Sequence, residues 1–163
     1  MSAKDIVNMA ESVWKIIDGG RPSAEINSKT ANAVPRVDDW QSLQNPKGPK
    51  NWWANPHRRV SWPFDDYVTV DCWIYLKWEY GATYKGGGAY IPNIWIDVPQ
   101  CYVGWKSSLD IDLRVHNPTN DGTDTAPIAR VPVSISGTLT NPLRSDRIEY
   151  SLIIWGNGDW QYS

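Results

Sequence analysis

Phenylalanine is almost missing from this chain: Phe64 is the only one in 163 residues. A core that needed only bulk would use it, because its ring leaves no polar atom to satisfy. Cysteine is also scarce. Cys72 and Cys101 are too few for a disulfide framework or a four-ligand zinc site, and each lies in a strand-like run where a buried, reduced thiol is the expectation. The two histidines, His57 and His116, stand at no metal-ligand spacing from each other or from a cysteine, so no metal and no cofactor is expected.

Long apolar runs are absent too, and nothing approaches the roughly eighteen residues of a membrane span. The opening residues lead into a segment interrupted by Glu11 and Lys15, which lacks the apolar centre of a signal peptide. This predicts synthesis in the cytosol, with any release following a non-classical route. Sixteen basic residues face eighteen acidic ones, and no basic run exceeds Arg58 and Arg59, so the footprint of a nucleic-acid binder is missing. There is no G-x-S-x-G elbow, Walker loop, H-E-x-x-H or C-x-x-C. The chain therefore reads as non-enzymatic.

What replaces phenylalanine is indole and phenol: eleven tryptophans and eight tyrosines. Each has an apolar body and a hydrogen-bonding tip, which suits half-wet surfaces such as sockets for sugars or cationic head groups. Length and composition predict a single domain over 1–163, large enough to bury about two-thirds of its unfolded surface.

Placing residues 3–18 at 100° intervals gathers Ile6, Val7, Val13, Trp14, Ile16 and Ile17 on one half of a wheel and the charged residues on the other. This predicts an amphipathic helix stopped by Gly19 and Gly20. Over 35–64, five prolines and several Asn and Asp residues predict an ordered but irregular loop that still carries Trp40, Trp52, Trp53 and Trp62. From 67 to 155 the period is two. Val68, Val70, Cys72, Ile74, Leu76, Trp78 and Tyr80 point one way, and Tyr67, Thr69, Asp71, Trp73, Tyr75, Lys77 and Glu79 the other. Further strands are expected at 89–98, 102–105, 109–116, 128–139 and 147–155. The fold class that follows is mainly β, an antiparallel β-sandwich or flattened barrel preceded by one N-terminal helix.

Asp110 and Asp112 alternate on the outward side of a strand, where solvation accounts for them, and His116 reads as a polar strand end. The oxygen-rich loop 117–125 puts Gly122 at the sixth position of a calcium loop but Ile128 where a bidentate Glu is required, so it fails as an EF-hand.

The candidate binding residues are aromatic and charged. Trp52, Trp53, Arg58, Arg59, Trp62, Asp65 and Tyr67 cluster in 52–67, and Trp73, Tyr75 and Trp95 lie opposite the apolar stripe. Indole faces beside Arg and Asp stack on sugar C–H faces or enclose an ammonium. The layout of amphipathic helix, β-sandwich and aromatic loop resembles actinoporin-like cytolysins, in which a sandwich binds a lipid head group and the helix enters the membrane. That likeness implies a toxin-like, membrane-perturbing protein. The expectation is thus a protein that binds a lipid head group or glycan on a target cell surface. The alternatives are a lectin-like carbohydrate-binding module and a self-assembling, homo-oligomeric interaction subunit.

Overall fold

Alternating burial organises the chain into two antiparallel sheets, each with one apolar face. The computed structural model describes residues 3–10, 13–17, 30–62, 65–104 and 106–163. In chain order the strands are β1 (Ile6–Val7), β2 (Val13–Ile17), β3 (Ala31–Pro35), β4 (Lys47–Ala54), β5 (His57–Trp62), β6 (Asp65–Tyr80) and β7 (Ala82–Tyr84). They continue as β8 (Gly87–Val103), β9 (Ser108–Val115), β10 (Thr119–Asn120), β11 (Ala129–Thr140), β12 (Ser145–Trp155) and β13 (Trp160–Tyr162). The first sheet runs β1-β3-β8-β6-β4, with β5 also on β6 and β7 on β8. The second runs β13-β12-β11-β9-β2, with β10 on β11. Packed face to face, they make a β-sandwich.

The core sits between the sheets. Val70, Cys72, Ile74, Leu76 and Trp78 of β6 meet Leu109, Ile111, Leu113 and Val115 of β9 and the inward residues of β11 and β12 in one buried cluster. The two-residue alternation read from the sequence is therefore the observed sorting on β6 and β9. Between β7 and β8, Lys85 (φ 49°) and Gly86 (φ 78°) are both left-handed, with Tyr84 paired to Gly87. Two positive φ values define the type I′ turn that matches strand twist in a tight hairpin.

Among the described residues there is no α-helix, and the expected N-terminal helix is replaced by β1 and β2, which lie in different sheets. Two causes are visible. Ile6, Val7, Val13, Ile16 and Ile17 are β-branched and favour strands. Between them the Asn8 side-chain oxygen accepts from the backbone N–H groups of Ala10 (3.1 Å) and Asn32 (3.2 Å), while Asn32 returns the contact to Met9 N–H (2.8 Å). Such an Asn turn offers the backbone partners that a helix would otherwise supply. Residues 18–20, the expected helix stop, lie outside the described residues.

The segment 35–64, expected as irregular loop, contains strands β4 and β5 as well. Pro46 and Pro56 fall between strands, and Pro49 is tolerated within β4 because that strand lies on the edge of its sheet, where a missing N–H costs no ladder bond. The ladder skips Gly48 and Pro49, with Lys47 opposite Tyr80 and Lys50 opposite Trp78. Only Trp40–Ser42 makes a 3₁₀ turn. The two cysteines, expected as free thiols, are joined as Cys72–Cys101 because they fall opposite each other on β6 and β8.

At the open edge between β4 and the second sheet, the Trp52 ring stacks on Tyr162 (5.4 Å, 18°) and tilts against Tyr150 (5.4 Å, 58°). Trp52 thereby closes the sandwich. Burial raises the pKa of Tyr150, with Arg58 opposing and Tyr162 reinforcing the shift, and burial likewise raises that of Tyr90. Tyr90 also donates to the Ala3 carbonyl at 2.6 Å, tying down the chain start.

Two outcomes follow from this packing. A Cβ on Gly137 would come within 2.3 Å of the Asp110 carbonyl and 3.3 Å of Ile111 and Ile148. Gly137→Ala should therefore lower stability by ~1–3 kcal/mol, seen as a lower urea midpoint at constant m-value. The raised tyrosines favour the neutral form in the folded state, so their contribution is complete below the unfolded pKa of 10.0 and is lost as pH rises through the higher folded values. Denaturation midpoints measured from about pH 8 to 11 should fall, and Tyr150→Phe should flatten that slope.

Candidate functional site

The alternation that buries one side of β6 leaves the other side outward. Register then assembles the outer face of the first sheet in rows. Trp53 of β4 stands opposite Tyr75 of β6, which stands opposite Asp97 of β8. One row along lie Asn51, Lys77 and Trp95, and on the other side Trp73 pairs with Gln100. Beyond these, His57, Asp71 and Tyr102 form a further row. The β8 strand bulges here, since three residues of β6 from Trp73 to Tyr75 match four of β8 from Gln100 to Asp97.

This face carries aromatics that solvent reaches. Trp53 is 53% exposed and Tyr102 55%, while Trp73, Tyr75 and Trp95 are half-buried by their neighbours. The Trp53 and Trp73 rings lie 5.0 Å apart at 40°, so each limits the other's rotation. Polar partners are held between them. Lys77 Nζ bonds Asp97 Oδ2 at 2.7 Å and sits 5.8 Å from the Tyr75 ring centroid, and the Asn93 amide donates to Glu79 Oε1 at 2.6 Å. Asp71 accepts from the Asn55 amide at 2.8 Å and lies 3.6 Å from His57 Nδ1. The result is a sheet surface of fixed rings separated by fixed carboxylates and amides.

The structure divides the residues singled out from the sequence. Trp53, Trp73, Tyr75 and Trp95 share the outer face. Trp52 does not: the alternation within β4 turns it inward, where it packs on Tyr150 and Tyr162. Arg58 likewise reaches the second sheet, 3.6 Å from Asp146, which Arg144 also approaches at 3.2 Å. Arg59 is exposed beside a register shift in β5, and Tyr67 is half-buried opposite Val60. Trp62 and Asp65 are backbone partners at the end of the β5–β6 hairpin.

Residues not singled out also reach this region: Tyr102 on the outer face, and Trp160 and Tyr162 on the exposed β13 edge. The alternation of Trp160, Gln161 and Tyr162 is the period-two signal that could have placed the last two on a strand.

The outer face of the second sheet is different in kind. Ser134 and Ser136 form the floor of a groove of about 430 Å³ walled by Asp112, Arg114, Arg147 and Glu149. His116 Nε2 is hydrogen-bonded to Ser134 Oγ at 2.9 Å. Among the described residues no group of three His, Cys, Asp or Glu side chains is placed to hold a metal ion, and no helix is long and apolar enough to cross a membrane.

Comparisons with protein-family models, with curated proteins and with solved structures found no match to this chain.

Proposed function

We propose that this chain is a carbohydrate-recognition module, binding rather than transforming its ligand, and that a glycan lies across the outer face formed by β4, β6 and β8. The observation that carries this reading is the grouping of Trp53, Trp73, Tyr75 and Trp95 on one solvent-facing sheet surface with Asp97, Asn51 and Gln100 set among them. A sugar ring offers an apolar C–H face and an equatorial fringe of hydroxyls. Indole and phenol faces take the first, and carboxylates and amides the second. Stacking is worth ~1–2 kcal/mol per ring, so several rings in register give useful affinity without a deep pocket.

A membrane-perturbing role rested on an N-terminal amphipathic helix, and residues 3–10 and 13–17 contain short strands instead. That role is therefore not retained, and with the helix goes the feature that set the chain beside actinoporin-like cytolysins. A lipid head group remains a distinct ligand for the same rings, and vesicles serve as its test.

Affinity electrophoresis through gels containing neutral or acidic polysaccharides should retard the protein in at least one. Trp53→Ala and Trp73→Ala should each weaken that binding about tenfold, equivalent to ~1.4 kcal/mol, while leaving the urea midpoint within about 1 kcal/mol of wild type. Binding to phosphatidylcholine vesicles without retardation by any polysaccharide would overturn the glycan reading, as would retardation unaltered in both variants.

A further inference from the structure

A second ligand site, separate from the aromatic sheet face, is built where the β12–β13 hairpin meets the loop after β10. Its cavity of about 340 Å³ is lined by Asp121, Ile128, Trp155, Asn157 and Asp159, within the range of small-molecule pockets. The hydrogen bonds inside it decide what it can hold. The indole Nε1 of Trp155 donates to Asp121 Oδ2 at 2.9 Å, and the Asn157 amide donates to Asp159 Oδ2 at 3.1 Å. The Asn157 side-chain oxygen accepts from Asp159 N–H at 2.9 Å, and Trp155 N–H is spent on the Asp159 carbonyl at 2.9 Å. Of the pocket's side-chain donors, the Trp155 Nε1–H and one Asn157 amide N–H are consumed within its own walls, and one Asn157 amide N–H is left over.

What a guest meets is chiefly carboxylate oxygen and the π-face of an indole, with that single amide N–H beside them. Neither Asp121 nor Asp159 forms an ion pair among the described residues. The neighbouring basic group is committed elsewhere, since Lys50 Nζ donates to the Gly158 carbonyl at 2.5 Å and lies 5.0 Å from the Tyr80 ring centroid. A wall of acceptors and π density, with two negative charges and no internal cation, is complementary to a donor-rich or diffuse positive charge. It repels anions, and its two charges and π-face favour a cation over the neutral hydroxyls that the same carboxylates could accept from.

We infer that the Trp155, Asp121 and Asp159 pocket binds an organic ammonium group. The cation would sit over the indole face, where such contacts are worth ~0.5–2 kcal/mol, with the two carboxylates completing its coordination. The Trp155 Nε1 bond to Asp121 fixes the ring plane in advance, so little rotamer freedom is lost on binding.

A quaternary ammonium, as on a choline head group, and a primary one, as on an amino sugar, share this chemistry and are separated by titration. Two-dimensional ¹H–¹⁵N spectra of the full chain resolve the indole Nε1 resonances, and Trp155→Phe identifies the one that belongs to Trp155. Choline chloride or glucosamine hydrochloride should shift that resonance saturably. Saturation by choline alone assigns a quaternary guest, and saturation by glucosamine a primary one. Glucose should leave the resonance in place. Asp159→Asn, which preserves shape and hydrogen bonding, should weaken the binding about tenfold, and added salt should weaken it in the wild type without any substitution. Trp53→Ala should leave this titration unchanged, so that failure here and failure of glycan binding on the sheet face are read separately. No saturable shift with either ammonium, an equal shift with glucose, or affinity indifferent to both Asp159→Asn and salt would overturn the inference.

Discussion

Strands β6 and β8 pair from Val70 opposite Val103 to Trp78 opposite Ile94, and this ladder fixes the rest of the molecule. Because side chains alternate along a strand, burying Val70, Cys72, Ile74, Leu76 and Trp78 obliges Trp73, Tyr75, Lys77 and Glu79 to face outward. A slip of one residue would bring Lys77 and Glu79 into the core and expel Trp78. The cost of burying two charges forbids it. The register is held at the side chains as well, by Cys72 joined to Cys101 on the inside and by Lys77 bonded to Asp97 on the outside. Edge strand β4 reads its own register from β6, so Trp53 arrives opposite Tyr75 and next to Trp73 as a consequence of the same ladder.

The preference for indole over phenyl has more than one physical cause. Trp78 is fully buried and its Nε1 finds no acceptor, so there the ring serves as bulk and its polar tip is a cost. The alternation of β6 had already placed Trp78 on the core-facing side. Filling the space between the two sheets outweighs one unsatisfied N–H, since an indole buries more apolar area than a phenyl ring. At Trp52 the ring seals the sandwich edge against Tyr150 and Tyr162. At Trp155 the N–H is engaged by Asp121, and the polar tip orients the ring. Among the described tryptophans, Trp53, Trp73 and Trp95 are the ones grouped on one sheet face open to solvent.

The strands most regular in period were legible in the sequence, because burial on one face leaves a two-residue signature that needs no knowledge of partners: 70–79 and 109–115 are sorted as their alternation predicts, while at the start of β6 Thr69, expected outward, is buried and Val68 only partly so. The opening segment misled for a definite reason. Ile6 and Val7 precede Val13, Ile16 and Ile17 by intervals that also fit a helical wheel, and the Asn8 turn that separates two strands of different sheets is one residue with no periodicity. Prolines in 46–56 misled in the opposite direction, since their density signals a breaker unless the strand is known to lie at an edge. Edge position is a property of the sheet and cannot be read from the segment alone. Cross-strand partnership is hidden for the same reason. Nothing local to Cys72 or Cys101 reveals that the chain, over a sequence separation of 29, returns one opposite the other. The aromatic face was therefore visible as a direction on each strand, while the contact between Trp53 and Trp73 was not.

The two outer faces differ in what solvent does to them, and that difference supports the proposed ligand face. On the second sheet, central strand β11 presents Ser134, Ser136 and Thr138 outward, flanked by Asp112, Arg114, Arg147 and Glu149. Water hydrates such a surface fully, and it needs no covering. On the first sheet the corresponding positions are indole and phenol, whose exposure carries a hydrophobic cost of about 25 cal/mol per Å². Tight side-by-side packing reduces that cost for Trp73, Tyr75 and Trp95 but leaves Trp53 and Tyr102 more than half exposed. Retaining such rings while the opposite face is built from serine and charge makes sense when a ligand removes them from water. The polar groups between them, held by Lys77 to Asp97 and Asn93 to Glu79, restrict that ligand to one with hydrogen-bonding groups at the same spacing as its apolar faces. A purely apolar partner would bury these polar groups without replacing their bonds to water, and this penalty separates a glycan from a hydrocarbon surface on the same sheet.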